Sequence, residues 1–115
     1  EKAHVSNIET LDGCCVVTSG VDYWNSLSFF ESLSKSETTI RTWGDAYGYA
    51  LVATGRVDAM VDPIVNPWDV APMLTIIPEA GGVFTDFKNI TTANGGNALA
   101  SNPSLHTLLI DLVTD

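Results

Sequence analysis

The feature that most constrains the fold is an apolar segment between Asn66-Pro67 and Gly81-Gly82. Its residues from Val70 to Ala80 are almost all apolar, which is typical of a helix buried on every side. Proline suits the first turn of a helix and glycine the position after the last, so a helix is predicted over 67–80. We expect Pro78 to kink or end its regular part.

Asp69 places a single carboxylate near the start of this predicted helix. A carboxylate there can cap the helix, because the helix dipole and the free backbone N–H groups favour negative charge. The same donors would also orient the carboxylate and leave one oxygen free for a hard cation such as Mg²⁺. Asp69 taken alone leaves both roles open.

Short β-rich runs alternate with helical patterns along most of the chain. Strands are predicted over 14–18, 38–43, 57–61, 83–85 and 97–101, and helices over 25–33, 45–55, 67–80 and 103–113. Asn102 is predicted to cap the last helix, and Gly55 to follow the second one. This alternation predicts one domain over 1–115, an α/β layered sandwich with a mostly parallel sheet flanked by helices.

In folds of this class, ligands bind at the carboxyl ends of the parallel strands. Asp62 stands at the end of one predicted strand, and Asp69 stands near the start of the next helix. Both carboxylates are therefore expected at the ligand-binding edge of the sheet.

The balance of charges restricts the possible ligands. Fourteen acidic and five basic residues give a net charge of −9, which argues against nucleic-acid binding. A phosphorylated ligand would need a cation to reverse the local charge. No run approaches the roughly 18 apolar residues that a membrane helix requires. Cys14 and Cys15 are interpreted as reduced thiols in a hydrophobic strand, which predicts a cytoplasmic protein.

Several strings together resemble the inositol monophosphatase-like family. The string Trp68-Asp69-x-Ala-x-x-x-x-Ile-x-x-Glu-Ala-Gly-Gly resembles the second signature of that family, and Arg41 to Tyr49 resembles its substrate loop. Segments 51–58, 81–86 and 100–102 complete the pattern. The resemblance implies a layered αβαβα fold and a Mg²⁺-dependent phosphatase. The Gly-Asp-x-Tyr-Gly-Tyr version of the loop is most similar to the histidinol-phosphate phosphatase branch.

The resemblance also implies roles for particular residues. Asp69 would be a ligand to one of about two or three Mg²⁺ ions. Asp62, where relatives hold glutamate, would face the polar body of the substrate. The lining of the substrate pocket would come from Arg41, Gly44, Asp45 and Ala46. Together, Asp45 and Asp62 would favour a cationic aminoalcohol such as histidinol.

Structural roles are the alternative for several of these residues. Arg41 would then pair with a carboxylate, and Asp45 would cap the helix that follows it. Trp68 is expected to pack rather than contact a ligand, and Glu79 to form a buried hydrogen bond. The two histidines, His4 and His106, have no partner at ligand spacing and are assigned no role.

Two segments of the family's catalytic centre, Gly-Glu-Glu and Asp-Pro-x-Asp-Gly-Thr, do not occur in this sequence. We therefore expect the chain to be the C-terminal half of a phosphatase, inactive without its N-terminal half. The complete enzyme would be a homodimer that releases phosphate from histidinol phosphate in histidine biosynthesis. Inositol phosphate or a nucleotide 3′-phosphate is the alternative substrate. A non-catalytic fragment that binds a partner through an apolar surface is the alternative of another class.

Overall fold

The computed structural model describes residues 2–20, 23–24, 28–42 and 45–114, and at 45 and 46 the backbone alone. The strands are β1 (Cys15–Thr18), β2 (Thr39–Thr42), β3 (Ala59–Asp62), β4 (Val83–Thr85) and β5 (Ala98–Ser101). The helices are α1 (Ser28–Leu33), α2 (Asp45–Ala53), α3 (Pro67–Val70), α4 (Met73–Glu79) and α5 (Pro103–Val113). All the predicted strands are present. The predicted helix over 25–33 is described from Ser28 onwards.

The strands form one sheet in the order β2-β1-β3-β5-β4. β1 is parallel to both of its neighbours, whereas β5 is antiparallel to both β3 and β4. Four strands therefore run in one direction and β5 runs against them, which confirms the predicted α/β sandwich with a mostly parallel sheet. The reversal follows from the connection over 86–97, which contains no helix to carry the chain across the sheet.

Helices cover both faces of the sheet, and each face has its own apolar cluster. α2 and α4 bury Val52 and Ile77 against one face, which Val17 also joins. α1 and α5 bury Leu33 and Leu105 against the other, which contains Val16. Consecutive residues of β1 thus serve opposite clusters, as expected for a strand between two helical layers.

The predicted helix over 67–80 is divided into α3 and α4, with Ala71 and Pro72 between them. Pro72 has no N–H to donate to the preceding turn, so the helical hydrogen-bond ladder is interrupted there. Pro78 lies in the last turn of α4, which ends at the next residue, as predicted. Gly81 follows with a φ of 84°. The Gly82 N–H then donates to the Ile77 carbonyl over 2.9 Å, which closes the helix end.

The expectation that this segment is buried on every side is wrong. α4 buries only Met73 and Ile77, while Ile76 remains 44% exposed. Glu79 is exposed and forms no buried hydrogen bond with the described residues. Trp68, which was expected to pack, is 75% exposed. The reason is geometric, because a single layer of helices leaves the outer side of α3 and α4 to solvent in this chain.

Residues 2–9 form an extended N-terminal segment that the sequence did not predict. The Val5 N–H donates to the Ala80 carbonyl over 2.9 Å, and the Val5 side chain is buried. The Asn102 amide donates to the carbonyl oxygens of Ser6 and Ile8, at 3.1 and 2.8 Å. A Cβ on Gly82 would lie 2.8 Å from Val5 Cγ1, so the segment fits only against a glycine there. Asn102 also caps α5 as predicted, by accepting the Leu105 N–H.

Candidate functional site

A pocket of about 240 Å³ opens where the parallel strands β1 and β3 end. Its lining includes Ser19, Tyr23, Tyr49, Asp62, Asn66 and Asp69. Ser19 follows the last residue of β1, and Asp62 is the last residue of β3. The two carboxylates predicted for this edge are therefore brought together in one pocket.

Asp62 forms the inner wall of the pocket and is 3% exposed. Its Oδ1 accepts the Ser19 N–H over 2.8 Å, and its Oδ2 accepts the Tyr49 hydroxyl over 3.0 Å. Burial, together with the adjacent Asp62 carboxylate, raises the pKa of the Tyr49 hydroxyl, so this group remains protonated and donates. These two donors compensate a carboxylate that would otherwise be costly to bury.

Asp69 has a different environment at the mouth of the pocket, where it is exposed. It is the third residue of α3, and Asn66 is the N-cap. Its Oδ2 accepts the backbone N–H of Asn66 over 3.3 Å, while its own N–H donates to the Asn66 carbonyl over 3.0 Å. Asp69 thus stabilises the helix start from inside the first turn, and from the described residues its Oδ1 accepts no hydrogen bond.

The other predicted substrate-binding residues lie around the end of β2. Arg41 is exposed, and its Nη1 donates to the Ile40 carbonyl over 3.0 Å. Among the described residues that line the pocket, Arg41 is absent. Asp45 and Ala46 begin α2, where only the backbone is described, and Gly44 lies outside the described residues. Their predicted roles stay predictions.

The residues of the pocket fit a hard cation only in part. Asp69 offers an oriented carboxylate, but both oxygens of Asp62 already accept hydrogen bonds. Mg²⁺ requires near-octahedral coordination by oxygen, usually including waters and more than one anionic group. Over the described ranges, no three His, Cys, Asp or Glu side chains are grouped to hold a metal ion. Asp69 therefore fits as one ligand of a site completed by groups other than these.

Sequence reasoning missed Ser19 and Tyr49 as residues of the site. Ser19 directly follows the predicted strand over 14–18, so its backbone N–H was bound to lie at the ligand-binding edge. Tyr49 lies on α2, one helical turn after Asp45, the first residue of that helix. A search for donors around Asp62, rather than for acidic residues alone, would have found both.

A second buried polar cluster lies away from the pocket and consists of Thr85, Ser101 and His106. The two ring nitrogens of His106 lie 2.7 Å from Thr85 Oγ1 and 3.1 Å from Ser101 Oγ. Burial lowers the pKa of His106 to about 4, so the ring is neutral at physiological pH. The ring is therefore a core hydrogen-bonding group, a role that its spacing in the sequence did not reveal.

Both cysteines are free thiols, as interpreted from the sequence, but only Cys15 lies in β1, and Cys14 directly precedes that strand. Cys14 is buried, Cys15 is half-buried, and neither is in a disulfide. Burial raises the pKa of the Cys14 thiol to about 11, which keeps it protonated and unreactive. None of the helices in the described part of the chain has the length and apolar character needed to cross a membrane.

The model of the inositol monophosphatase family matches residues 1–115, so the chain belongs to that family. Histidinol-phosphatase from Streptomyces coelicolor is 35% identical over 95% of this chain and 42% of that protein. Fructose-1,6-bisphosphatase/inositol-1-monophosphatase from Thermotoga maritima is 36% identical over 100% of this chain and 45% of that protein. The chain thus spans less than half the length of the curated relatives it matches.

Solved structures agree with this family assignment. The structure of a Thermotoga maritima IMPase superimposes with a TM-score of 0.83 at 37% identity, covering 99% of this chain and 45% of that one. An extragenic suppressor protein SuhB from Bartonella henselae has a TM-score of 0.85 at 26% identity. The described fold is therefore that of one part of these larger proteins.

Proposed function

We propose that this chain is the C-terminal part of a Mg²⁺-dependent phosphatase that hydrolyses a small phosphomonoester, with histidinol phosphate as the substrate. The observation that carries the proposal is the meeting of Asp62 and Asp69 in one pocket at the carboxyl edge of the sheet. One carboxylate is buried and fixed, and the other is exposed and oriented. The buried carboxylate of Asp62 therefore suits a contact with the substrate, and the exposed carboxylate of Asp69 suits a cation.

Asp69 is the proposed metal ligand. Its contact with the Asn66 N–H orients Oδ2 and leaves Oδ1 for a cation. Mg²⁺ bound there would offset the negative charge of the phosphate and lower the pKa of a bound water. The remaining ligands would come from the N-terminal half of the protein, and the complete enzyme would be a homodimer.

The charges of the pocket favour a substrate with a cationic head group. The lining that the structure describes contains two carboxylates and two tyrosines, and it includes neither lysine nor arginine. Opposite charges attract more strongly in a partly desolvated pocket than in bulk water. Among the relatives, three proteins named histidinol-phosphatase match this chain. Arg41, Gly44, Asp45 and Ala46 are proposed to line the substrate pocket.

The test is phosphate release by the complete protein that contains this chain. The protein is assayed with Mg²⁺ against histidinol phosphate, inositol 1-phosphate and adenosine 3′-phosphate. Preference for histidinol phosphate is expected, and loss of turnover on chelation of the metal is expected with it. A higher kcat/KM for inositol 1-phosphate would contradict the substrate, while failure with all three would contradict the phosphatase itself.

A second candidate is a non-catalytic fragment that binds a protein partner. Two apolar side chains favour it, because Ile64 and Trp68 are 63% and 75% exposed beside the pocket. Size-exclusion chromatography of the isolated chain distinguishes the two functions. A monomer at high concentration would argue against a partner-binding surface. Phosphate release by the isolated chain, abolished by Asp69→Asn, would overturn the expectation that the fragment is inactive.

A further inference from the structure

The carboxylate of Asp62 is held by donors from two different parts of the chain. The Ser19 N–H at the end of β1 binds Oδ1 over 2.8 Å, and the Tyr49 hydroxyl from α2 binds Oδ2 over 3.0 Å. A carboxylate left to itself has a broad torsional preference about its last side-chain bond. Two donors on different oxygens remove that freedom and fix the plane of the group.

Tyr49 is itself fixed, so its hydroxyl is a rigid donor. The side chain is 2% exposed. Its ring lies edge-on to Phe84, with centroids 6.1 Å apart and an interplanar angle of 61°. The ring of Tyr49 therefore packs against Phe84, while its hydroxyl bonds to a different residue, Asp62. Removal of the hydroxyl alone would leave the ring in place.

An ionised carboxylate has about four acceptor positions on its two oxygens. Ser19 and Tyr49 occupy one acceptor position on each oxygen. Asp62 lines the pocket, so its remaining acceptor positions are left for a ligand. The direction in which Asp62 can accept a hydrogen bond from a ligand is therefore set by Tyr49 and Ser19. Only the Tyr49 contact can be removed by a side-chain substitution, because the Ser19 donor is a backbone group.

We propose that Tyr49 is a positioning residue for substrate specificity, which acts through Asp62 on the cationic head group of the phosphomonoester. This inference rests on the proposed function. Tyr49 also lies on the helix that the proposed substrate loop leads into. The same hydroxyl contact joins that helix to Asp62, the last residue of β3.

The test compares Tyr49→Phe, Asp62→Asn and the double variant in the complete enzyme. Two substrates are used: histidinol phosphate, and glycerol 2-phosphate, which has no cationic group. For Tyr49→Phe, KM for histidinol phosphate should rise roughly 10-fold, as for a lost hydrogen bond to a charged group, with kcat nearly unchanged. KM for glycerol 2-phosphate should change by less than about 2-fold. In the Asp62→Asn background, Tyr49→Phe should have no further effect on either constant.

The matched control is Thr54→Val, which also removes one hydroxyl and its hydrogen bond, to the Ala50 carbonyl, at an exposed residue outside the pocket lining. It should leave the KM ratio of the two substrates unchanged. An equal effect of Tyr49→Phe on both substrates, or an additive effect with Asp62→Asn, would mean that Tyr49 only stabilises the fold. Either result overturns the inference and leaves the phosphatase function standing.

If Tyr49→Phe does not fold, Asp62→Glu provides the test, because it keeps the charge but moves the carboxylate away from the Tyr49 hydroxyl. It should raise KM for histidinol phosphate more than KM for glycerol 2-phosphate. If Asp62→Glu and the unaltered enzyme have equal KM values for histidinol phosphate, the inference is overturned. An enzyme that hydrolyses neither substrate would instead contradict the proposed function, and the inference would fail with it.

Discussion

Two buried polar clusters of this molecule are both held by hydrogen bonds between distant segments, but they lie in different surroundings. The pocket cluster comprises Tyr49 and Asp62 with the Ser19 N–H, and it faces a pocket. The core cluster comprises Thr85, Ser101 and His106, and it is enclosed between the sheet and α5. Each links a helix to strands by hydrogen bonds. A buried polar group whose hydrogen bonds are all formed is therefore not functional for that reason alone. It must also have access to a pocket.

The largest effect is expected on kcat, from a substitution of Asp69 at the mouth of the pocket. In the complete enzyme, Asp69→Asn should lower kcat at least about 100-fold, because an amide is a poor ligand for a hard cation. Its free energy of unfolding should change by less than about 1 kcal/mol, since Asp69 is exposed and its carboxylate accepts only the nearby Asn66 N–H. Phosphate release and urea unfolding of the same preparations measure the two quantities. Retained activity would contradict the metal-ligand role.

The core cluster should respond in the opposite way, through stability and pH. The pKa of His106 is lowered to about 4 by burial, against about 6.5 in the unfolded chain. Between these values the unfolded chain binds more protons, so stability should fall as pH falls from about 6.5 towards about 4. From pH 7 to pH 5, this histidine should account for a loss of roughly 2 kcal/mol.

Urea unfolding of the unaltered protein and of His106→Gln at both pH values measures this loss. Glutamine does not titrate, so its variant should lose about 2 kcal/mol less over the same interval. Contributions that the two proteins share cancel in the comparison. Equal losses in the two proteins would show that His106 is not buried in the neutral form, and the contrast between the clusters would disappear.

An effect of similar size is expected where the N-terminal segment packs against Gly82, beside Ser101 of the core cluster. An alanine at Gly82 would place its Cβ 2.8 Å from Val5 Cγ1 and 2.9 Å from the Ser101 carbonyl. Gly82→Ala should therefore lower the free energy of unfolding by about 1–3 kcal/mol, as overpacking does. Gly96→Ala, at a glycine with open space but a φ of 82°, measures by comparison the cost of backbone strain without a close contact. An unfolding midpoint for Gly82→Ala that equals that of the unaltered protein would disprove the close packing.

The elements with local signals could be predicted from the sequence. α5 was predicted at its observed bounds because Asn102 and Pro103 mark its start, and β4 because Gly81-Gly82 closes the helix before it. Asp62 and Asp69 were predicted at one edge because strand ends and helix starts converge there. These predictions depend on contacts within a few residues, which a sequence displays directly.

Other features depend on distant contacts and could not be predicted. Asp62 is paired with Ser19 across 43 residues and with Tyr49 across 13, and no local pattern encodes either pairing. The docking of Val5 depends in the same way on Ala80, which is distant in the sequence. Pro72 is a local signal for the end of a helix, but the continuous apolar segment favoured a single helix over 67–80. The burial of α4 was overestimated for the same reason.

The two hydrogen bonds that Asp62 accepts, from Ser19 and Tyr49, also affect how the chain folds. A charged carboxylate enters the interior at little cost only when both of its donors are already present. Because Ser19 and Tyr49 come from separate segments, an intermediate with either segment detached must bury an uncompensated charge or leave the end of β3 in water. Partly folded forms are thereby disfavoured, and the loss of β1 or of α2 should unfold the rest. The residue proposed to recognise the substrate thus also makes the transition cooperative.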